Sequence, residues 1–297
     1  MIEELKNLNI GQVLENELMK YHTTFKIGGP AKIMCLPDSF ENARKLIEFL
    51  RNNNEEFYIL GNGSNLLVSD KGLDLVVVKI AGNLSEIKVE GETVSAMAGA
   101  SLIETSREAI RAGLEGMEFS SGIPGNVGGA LTMNAGAYGN EIIDILHTAT
   151  VINQDNEIVE IPVDQMNLRY RNSRIQDEGL VALGAKFQLK YGDQEKINAK
   201  YEDLKNRRWT KQPLDKRSAG STFKRPEGHY ASKLIQDAGL KGYKYNNAMV
   251  SDKHSGFVIA ENGASFNDVI MVIKHVQEVV YEKFGVRLEP EVRILGE

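Results

Sequence analysis

The chain has 297 residues with 28 glycines, a single cysteine and a formal net charge of −6. At roughly 100–200 residues per domain the length predicts about two domains, and the ordinary globular composition excludes a disordered tail protein, a collagen-like repeat and a disulfide scaffold. The acidic balance argues against a general nucleic-acid binder.

Residue patterns then predict mixed secondary structure along the chain. Apolar residues at helical spacing predict helices at 39–51, from the cap Ser101 to Gly113, and at 196–208, 231–238 and 266–284. Alternating or continuous apolar runs predict strands at 57–61, 75–80, 148–152, 157–161, 180–190 and 286–295, with a hairpin at 85–98. Because helices and strands come in runs, an α+β fold is favoured over a doubly wound parallel sheet.

The ends of two helices carry specific cap signals. Ser101 with Glu104 predicts a capping box, whereas Ser265 and Gly285 predict the first and last boundaries of the helix at 266–284. The chain start, MIEELKNLNIGQ, lacks the pattern of a signal peptide, and no segment approaches the ~20 apolar residues of a membrane span. With Cys35 as a lone thiol, we expect a reducing compartment, without membrane insertion.

Glycine is in mild surplus and is concentrated in three turns, at 27–30 (IGGP), 61–65 (GNGSN) and 122–130 (GIPGNVGGA). Glycine permits positive φ and lets backbone N–H groups approach an anion closely. The GNGSN turn alone is typical of ordinary connections, and both the Rossmann fingerprint and the G-x-x-x-x-G-K-[ST] phosphate loop are missing. Together the three turns predict a long, diphosphate-bearing ligand held by backbone groups.

A basic segment stands out in this acidic chain. Residues 200–225 contain nine Lys or Arg against three acidic residues. The part from Lys200 to Arg208 is as typical of a solvated helix face as of a binding surface. The remainder, which includes Pro213 and Gly220, is a loop, and there we predict a small anionic ligand.

Six separated motifs carry a family resemblance: YHTTFKIGG (21–29), LGNGSNLLVSD (60–70), GIPGNVGGALTMNAGAYG (122–139), LRYRNSR (168–174), KQPLDKRSAGSTFKRP (211–226) and LEPEVRILG (288–296). In this order they resemble the UDP-N-acetylenolpyruvoylglucosamine reductase family, in the shorter of its two forms. The resemblance implies a two-lobed FAD-binding module of the vanillyl-alcohol oxidase type over 1–192, with lobes at about 1–80 and 81–192. An α+β substrate-binding domain would occupy 193–297.

The resemblance also implies the reaction. An enzyme of this family uses NADPH and non-covalent FAD to reduce the enolpyruvyl double bond of UDP-N-acetylglucosamine enolpyruvate to UDP-N-acetylmuramate, a peptidoglycan precursor. We therefore expect a cytoplasmic oxidoreductase that serves cell wall biogenesis, cell shape, the cell cycle and cell division. A small-molecule substrate, no nucleic acid, no membrane insertion and a monomeric state are expected.

Three catalytic residues follow from the matching motifs. Ser221 matches the proton donor, Arg171 the arginine at the substrate carboxylate, and Glu291 the glutamate on that side. We expect Glu291 to be protonated or paired with Arg171. Each residue alone has an ordinary interpretation, as a turn hydroxyl, a surface charge and an exposed strand position, and only the motif context favours function.

Binding residues follow in the same way. The predicted FAD-binding residues are Gly61, Asn62, Gly63, Ser64, Asn65, Gly122, Ile123, Pro124, Gly125, Asn126, Gly128, Gly129 and Ala130. Substrate binding is predicted for Tyr170, Lys211 and Arg225, although some relatives carry Asn at the position of Arg225, and Tyr170 could equally fill the core. The five histidines are scattered without ligand spacing, so no metal site is predicted.

Two other function classes stay open at this point. One is a flavoprotein oxidase with the same type of FAD module, acting on a small alcohol or sugar. Such enzymes commonly attach the flavin through His or Cys, and Cys35 is the only thiol here. The other is a noncatalytic nucleotide-binding protein on this scaffold, against which the joint presence of Ser221, Arg171 and Glu291 argues.

Overall fold

Local signals set most element boundaries in the computed structural model, which describes residues 1–296 and all of their side chains except that of Asn83. The helices are α1 (Ile2–Asn7), α2 (Phe40–Asn52), α3 (Leu102–Arg111), α4 (Val127–Met133), α5 (Arg174–Asp177), α6 (Gln194–Lys211), α7 (Ala231–Asp237) and α8 (Phe266–Phe284). None of these described helices is long and apolar enough to cross a membrane.

The strands are mostly short. They are β1 (Gly11–Leu18), β2 (Pro30–Pro37), β3 (Phe57–Leu60), β4 (Leu66–Val68), β5 (Leu73–Lys79), β6 (Ile87–Glu90), β7 (Thr93–Met97), β8 (Leu114–Glu115), β9 (Gly136–Ala137), β10 (Asn140–Glu141), β11 (Leu146–Ile152), β12 (Ile158–Pro162), β13 (Val181–Gln188), β14 (Lys190–Tyr191), β15 (Lys244–Tyr245), β16 (Ala248–Val250), β17 (Val258–Ala260) and β18 (Arg293–Leu295). The predicted α+β class is confirmed.

Helix α8 shows the strongest agreement with its sequence signals. The Ser265 hydroxyl accepts from the Asp268 N–H at 3.1 Å, and the Asp268 carboxylate accepts from the Ser265 N–H at 3.0 Å, which completes a capping box. Gly285 ends the helix at φ 68°, in the left-handed region where glycine carries no Cβ penalty. The predicted limits of this helix are confirmed.

Two local predictions were wrong in part. Ser101 caps α3 by accepting from the Glu104 N–H at 3.4 Å, but the Glu104 carboxylate pairs with Arg107 instead of returning to the cap, so the capping box is incomplete. The predicted strand at 286–295 is limited to β18. Pro290 interrupts that segment because its nitrogen has no hydrogen to donate to a ladder.

Two larger sheets organise the residues before position 190. One has the strand order β1-β2-β5-β3, with β3 and β5 parallel. The other has the order β12-β11-β13-β7-β6 with antiparallel pairs throughout, and it includes the predicted hairpin of β6 and β7. Helix α4 packs against β13.

The chain divides into two compact units, each assembled from separate segments. The first unit consists of residues 1–15, 33–62 and 75–207, and the second of 16–32, 63–74 and 208–297. The predicted domain limits, 1–192 and 193–297, stay a prediction about evolutionary domains, since these units divide the chain elsewhere.

Each unit has a hydrophobic core of its own. The core of the first unit includes Leu46, Val78 and Phe187, all fully buried. The core of the second forms around α8, whose Val269, Val272 and Val276 are fully buried. The two cores therefore stabilise the segments of each unit separately.

Candidate active site

The GNGSN segment is the turn that follows β3 and leads to β4. Gly63 has φ 60°, and a Cβ at this position would lie 2.0 Å from the His22 carbonyl oxygen. The turn therefore requires glycine. Within the described residues, the backbone N–H groups of 61–65 donate to no protein acceptor. A row of such N–H groups is suited to bind phosphate oxygens.

The second predicted FAD segment, 122–130, is half loop and half helix. We predicted a turn throughout, but α4 begins at Val127, so Gly128, Gly129 and Ala130 are helical. The Gly128 N–H donates to the Ala98 carbonyl at 2.8 Å, and a Cβ on Gly128 would lie 2.9 Å from the Cβ of Ala98. This glycine is therefore needed for close packing of α4 on the strand end, a reason separate from ligand binding.

Asn126 joins these segments within the first unit. Its Nδ2 donates to the Gly99 carbonyl, whereas its Oδ1 is buried and has no hydrogen-bond partner. A Cβ on Gly61 would lie 3.0 Å from this Oδ1. A buried acceptor without a donor costs free energy, and a polar ligand group with an N–H or O–H would relieve that cost. The residues present thus fit a dinucleotide such as FAD.

Ser221 lies on an exposed loop between α6 and α7, immediately after Gly220 at φ 76°. Its chain neighbour Thr222 is only 3% exposed. The Thr222 N–H donates to the Gly256 carbonyl at 2.8 Å, and its hydroxyl accepts from the Val258 N–H at 2.9 Å. The buried Thr222 therefore restrains the backbone next to the exposed Ser221.

The backbone next to Ser221 is connected to Glu291 and to the GNGSN segment within the second unit. The Glu291 N–H donates to the Thr222 carbonyl at 2.8 Å. Asn65 in turn donates from Nδ2 to the Glu291 carbonyl at 3.0 Å. Two consecutive hydrogen bonds thus connect Asn65 and Glu291, which are 226 positions apart in sequence, to the residue that follows Ser221.

Thr24 also contributes to the arrangement of the Ser221 loop. It lies in the motif YHTTFKIGG, but we predicted no role for it from the sequence. Its hydroxyl donates to the Ser218 carbonyl at 2.6 Å, and its N–H donates to the Gly63 carbonyl at 3.2 Å. Thr24 therefore links the serine loop to the GNGSN turn. Since 194 residues separate Thr24 from Ser218, no local pattern could have revealed this contact.

Arg171 lies in the first unit, in a tight turn closed by two reciprocal hydrogen bonds between Arg169 and Asn172, at 3.1 and 3.0 Å. The Arg171 backbone has φ 55°. A residue with a side chain pays roughly 1–3 kcal/mol for this left-handed region, which is often found at functional sites. The guanidinium carbon lies 5.0 Å from the centre of the Tyr170 ring.

Side chains hold this turn from both sides. The Asp177 carboxylate accepts from both Arg169 Nη atoms at 2.7 Å, and the Arg169 hydrogen bond lowers the pKa of Asp177 below its usual value. Asn167 and Asn172 donate to the same carboxylate at 3.1 and 3.2 Å. The Arg171 turn is therefore anchored to α5.

The predicted substrate-binding residues are all accessible. Tyr170 is 48% exposed, so the alternative that it fills the core is wrong. Arg225 lies 4.1 Å over the Tyr230 ring and is exposed, as is Lys211 at the end of α6. Their binding roles stay predictions.

The helical part of the basic segment is largely neutralised. Lys200 pairs with the buried Glu118 at 3.3 Å, Lys205 with Glu202 at 3.1 Å, and the Arg207 side chain with that of Asp203 at 2.8 Å. The last two are i,i+3 and i,i+4 pairs, which are typical of a helix surface and favour the solvated-face interpretation for 200–208.

A cleft of about 750 Å³ lies in the second unit, lined by Pro213, Asp215, Lys216, Arg217, Met249, Ser251, Asp252, Lys253, Ile259, Ala260, Glu261 and Asn262. None of the predicted site residues lines it. Its walls carry both basic and acidic side chains.

Cys35 bears on the oxidase alternative. The side chain is fully buried, and burial raises the pKa of its thiol to about 12. Because the thiolate is the reactive form of cysteine, this thiol is a poor nucleophile for covalent flavin attachment. The alternative is not favoured.

Comparison with family models gives two matches. Residues 212–295 match the C-terminal domain of UDP-N-acetylenolpyruvoylglucosamine reductase, and residues 31–162 match an FAD binding domain. The second match contains Gly61 and Asn126, and the first contains Ser221 and Glu291.

Relatives with the family's name are similar over nearly the entire chain. A UDP-N-acetylenolpyruvoylglucosamine reductase of Caldanaerobacter subterraneus is 49% identical over 100% of this chain and 98% of its own length. The reductase of Clostridium tetani is 46% identical over 99% and 95%. The crystal structure of UDP-N-acetylenolpyruvylglucosamine reductase from Thermus caldophilus matches with a TM-score of 0.82 at 32% identity, covering 96% of this chain and 98% of that one.

Proposed function

Since the chain belongs to the UDP-N-acetylenolpyruvoylglucosamine reductase family, we propose that it reduces the enolpyruvyl double bond of UDP-N-acetylglucosamine enolpyruvate to give UDP-N-acetylmuramate. It is an FAD-containing oxidoreductase with NADPH as the hydride-donating cosubstrate. The observation that carries the assignment of residues is the hydrogen-bonded connection from Asn65 through Glu291 to Thr222, beside the exposed Ser221 hydroxyl.

The residues that fit FAD are the N–H groups of 61–65 and the Asn126 side chain. The N–H groups would donate to phosphate oxygens of the bound cofactor. The Asn126 Oδ1, which is buried and has no hydrogen-bond partner, would accept from one of its polar groups. When bound, FAD would supply the redox chemistry, passing hydride from NADPH to the terminal carbon of the enolpyruvyl group. Every remaining task falls to side chains of this protein.

Ser221 delivers the proton that completes the reduction. Once the terminal carbon has gained hydride, the carbon next to the substrate carboxylate carries negative charge and is a strong base. A serine hydroxyl is a weak acid, but a well-placed one suffices for such a base. The Ser221 Oγ–H bond breaks, a C–H bond forms, and solvent reprotonates the alkoxide, which the exposed loop allows.

Arg171 binds the substrate carboxylate and stabilises the negative charge that develops beside it. A guanidinium offers two parallel donors to a carboxylate and keeps its charge at all working pH values. Glu291 organises the same side of the substrate, and we propose that it acts when protonated or when paired with Arg171. Tyr170, Lys211 and Arg225 contribute to binding of the UDP-sugar.

The reaction places the protein in peptidoglycan precursor synthesis, and from there in cell wall biogenesis, cell shape, the cell cycle and division. We propose that it works in the cytoplasm as a monomer. Light scattering coupled to size-exclusion chromatography of the holoenzyme tests the oligomeric state, and a mass of twice 32.9 kDa would overturn it.

Visible spectroscopy of the purified protein tests the reaction. We expect flavin bands that NADPH bleaches without oxygen and that UDP-N-acetylglucosamine enolpyruvate restores, together with release of the flavin on acid precipitation. Bands that the enolpyruvyl substrate leaves bleached would reject the reductase assignment. Flavin that stays with the precipitated protein would support the oxidase instead.

A further inference from the structure

Gln176 connects the Arg171 turn to helix α4. Its Nε2 donates to the Arg171 carbonyl at 3.1 Å and to the Thr132 carbonyl at 2.7 Å. Thr132 lies in the last turn of α4, the helix that begins within the proposed FAD segment 122–130. One side-chain amide therefore joins the backbone of the proposed carboxylate-binding residue to the end of that helix.

The turn depends on such support because Arg171 has a left-handed backbone, with φ 55°. A residue with a Cβ keeps this conformation stably only where surrounding contacts determine it. The second donor to Thr132 is the hydroxyl of Ser173, which is fully buried and lies 2.9 Å from the same carbonyl. Gln176 differs from Ser173 because its amide donates to the Arg171 carbonyl as well as to that of Thr132.

We propose that Gln176 is a positioning residue, which fixes the Arg171 backbone on α4 and thereby sets where the guanidinium meets the substrate carboxylate. This inference rests on the proposed function, in which Arg171 binds that carboxylate. It extends the site to a residue outside the motif LRYRNSR, two positions after its end.

The test replaces Gln176 by Met, which has similar length but no donor. Gln154→Met is the matched control, because the Gln154 amide also donates to a backbone carbonyl, but to that of Glu178 instead of Arg171. Both holoenzymes are measured by stopped-flow for flavin reduction by NADPH, for reoxidation by the enolpyruvyl substrate, and for the KM of that substrate. Amide hydrogen exchange of the peptide covering 168–176 is measured in parallel.

For Gln176→Met we expect KM of the enolpyruvyl substrate to rise and reoxidation to slow by about three- to tenfold, the effect of losing the hydrogen bond to Arg171. The Thr132 carbonyl also loses the amide but keeps the Ser173 hydroxyl as a donor. Flavin reduction by NADPH should be unchanged, and the 169–172 amides should exchange faster. Gln154→Met should leave all four measurements unchanged. Gln176→Glu should raise KM and slow reoxidation more than Gln176→Met does, because its carboxylate repels both carbonyl oxygens.

Unchanged exchange and KM in Gln176→Met would overturn the proposal, and so would an equal loss of both half-reactions, which marks general destabilisation. Failure of the proposed function is separable. If the substrate does not reoxidise wild-type flavin, the reductase assignment fails, while faster exchange in Gln176→Met still supports the positioning role and unchanged exchange still rejects it.

Discussion

The Ser221 loop and the Arg171 turn are positioned by different kinds of contact. Beside Ser221, Thr222 is held mainly through its own backbone, since it bonds through its N–H to Gly256 and through its carbonyl to Glu291. Around Arg171 the two backbone bonds between Arg169 and Asn172 are supplemented by the side chains of Gln176, Ser173 and Asp177. Each arrangement lies within a single compact unit.

Because of this difference, we expect the two regions to tolerate different substitutions. Backbone hydrogen bonds survive most side-chain changes, so neighbours of Ser221 can vary while the backbone beside it keeps its place. The Arg171 turn also depends on side-chain contacts, and it loses one of them with each substitution of Gln176, Ser173 or Asp177. We therefore expect function to be sensitive to Ser221 itself in the first region, but to several surrounding residues in the second.

The largest effect is expected for Ser221→Ala. Without the hydroxyl, FAD binding and reduction by NADPH should persist, whereas reoxidation by substrate should fall by roughly 10²- to 10⁴-fold, as for loss of a positioned acid. Stopped-flow absorbance of the flavin separates the two steps. Ser218→Ala in the same loop is the control, and reoxidation at the wild-type rate in Ser221→Ala would remove Ser221 from the mechanism.

Arg171→Ala should have the next largest effect. A hydrogen bond to a charged group contributes about 1.5–3 kcal/mol, so substrate affinity and reoxidation should fall by roughly 10- to 100-fold with flavin reduction intact. Arg111→Ala, at an arginine paired on its own helix with Glu108, controls for loss of charge. Wild-type KM and reoxidation in Arg171→Ala would contradict the carboxylate role.

Thr222→Val tests the comparison of the two regions directly. The substitution leaves the Val258 N–H without its acceptor and should lower the free energy of unfolding by about 1–3 kcal/mol. Both backbone bonds of Thr222 remain, so reoxidation should slow less than in Gln176→Met. Denaturant unfolding and stopped-flow give the two quantities, and a greater loss of reoxidation than in Gln176→Met would refute the contrast.

The smallest expected effect is the pH dependence of the stability that Asp177 contributes. The Arg169 hydrogen bond lowers the pKa of Asp177 in the folded protein. Its contribution to stability is therefore complete above the ordinary pKa of about 3.9 and is lost as pH falls through the lower, folded value. The difference in Tm between wild type and Asp177→Asn should be small, constant above about pH 5, and should decrease in more acidic buffer. A difference that grows with acid would contradict this sign.

Particular residues show how far sequence reasoning reached. The cap residues Ser265 and Gly285 marked the ends of α8, since capping depends on neighbours within one helical turn. The glycines at 61 and 63 pointed to a backbone-lined turn, and the structure gives Gly63 a left-handed φ. The same reasoning predicted a turn where α4 begins at Val127 and a long strand where β18 has three residues. Glycine-rich or proline-containing segments leave several local conformations open.

The sequence by itself determined the α+β class and the family, and it predicted the residues that we propose for the reaction. These depend on local periodicity and on motifs that are continuous in the chain. Only the tertiary structure decided that Asn65 bonds the backbone of Glu291, that Thr24 bonds the Ser218 carbonyl, and that Gln176 supports Arg171 from α5. The physical reason is that each such bond depends on where folding brings the two groups, which no spacing of a few residues along the chain encodes.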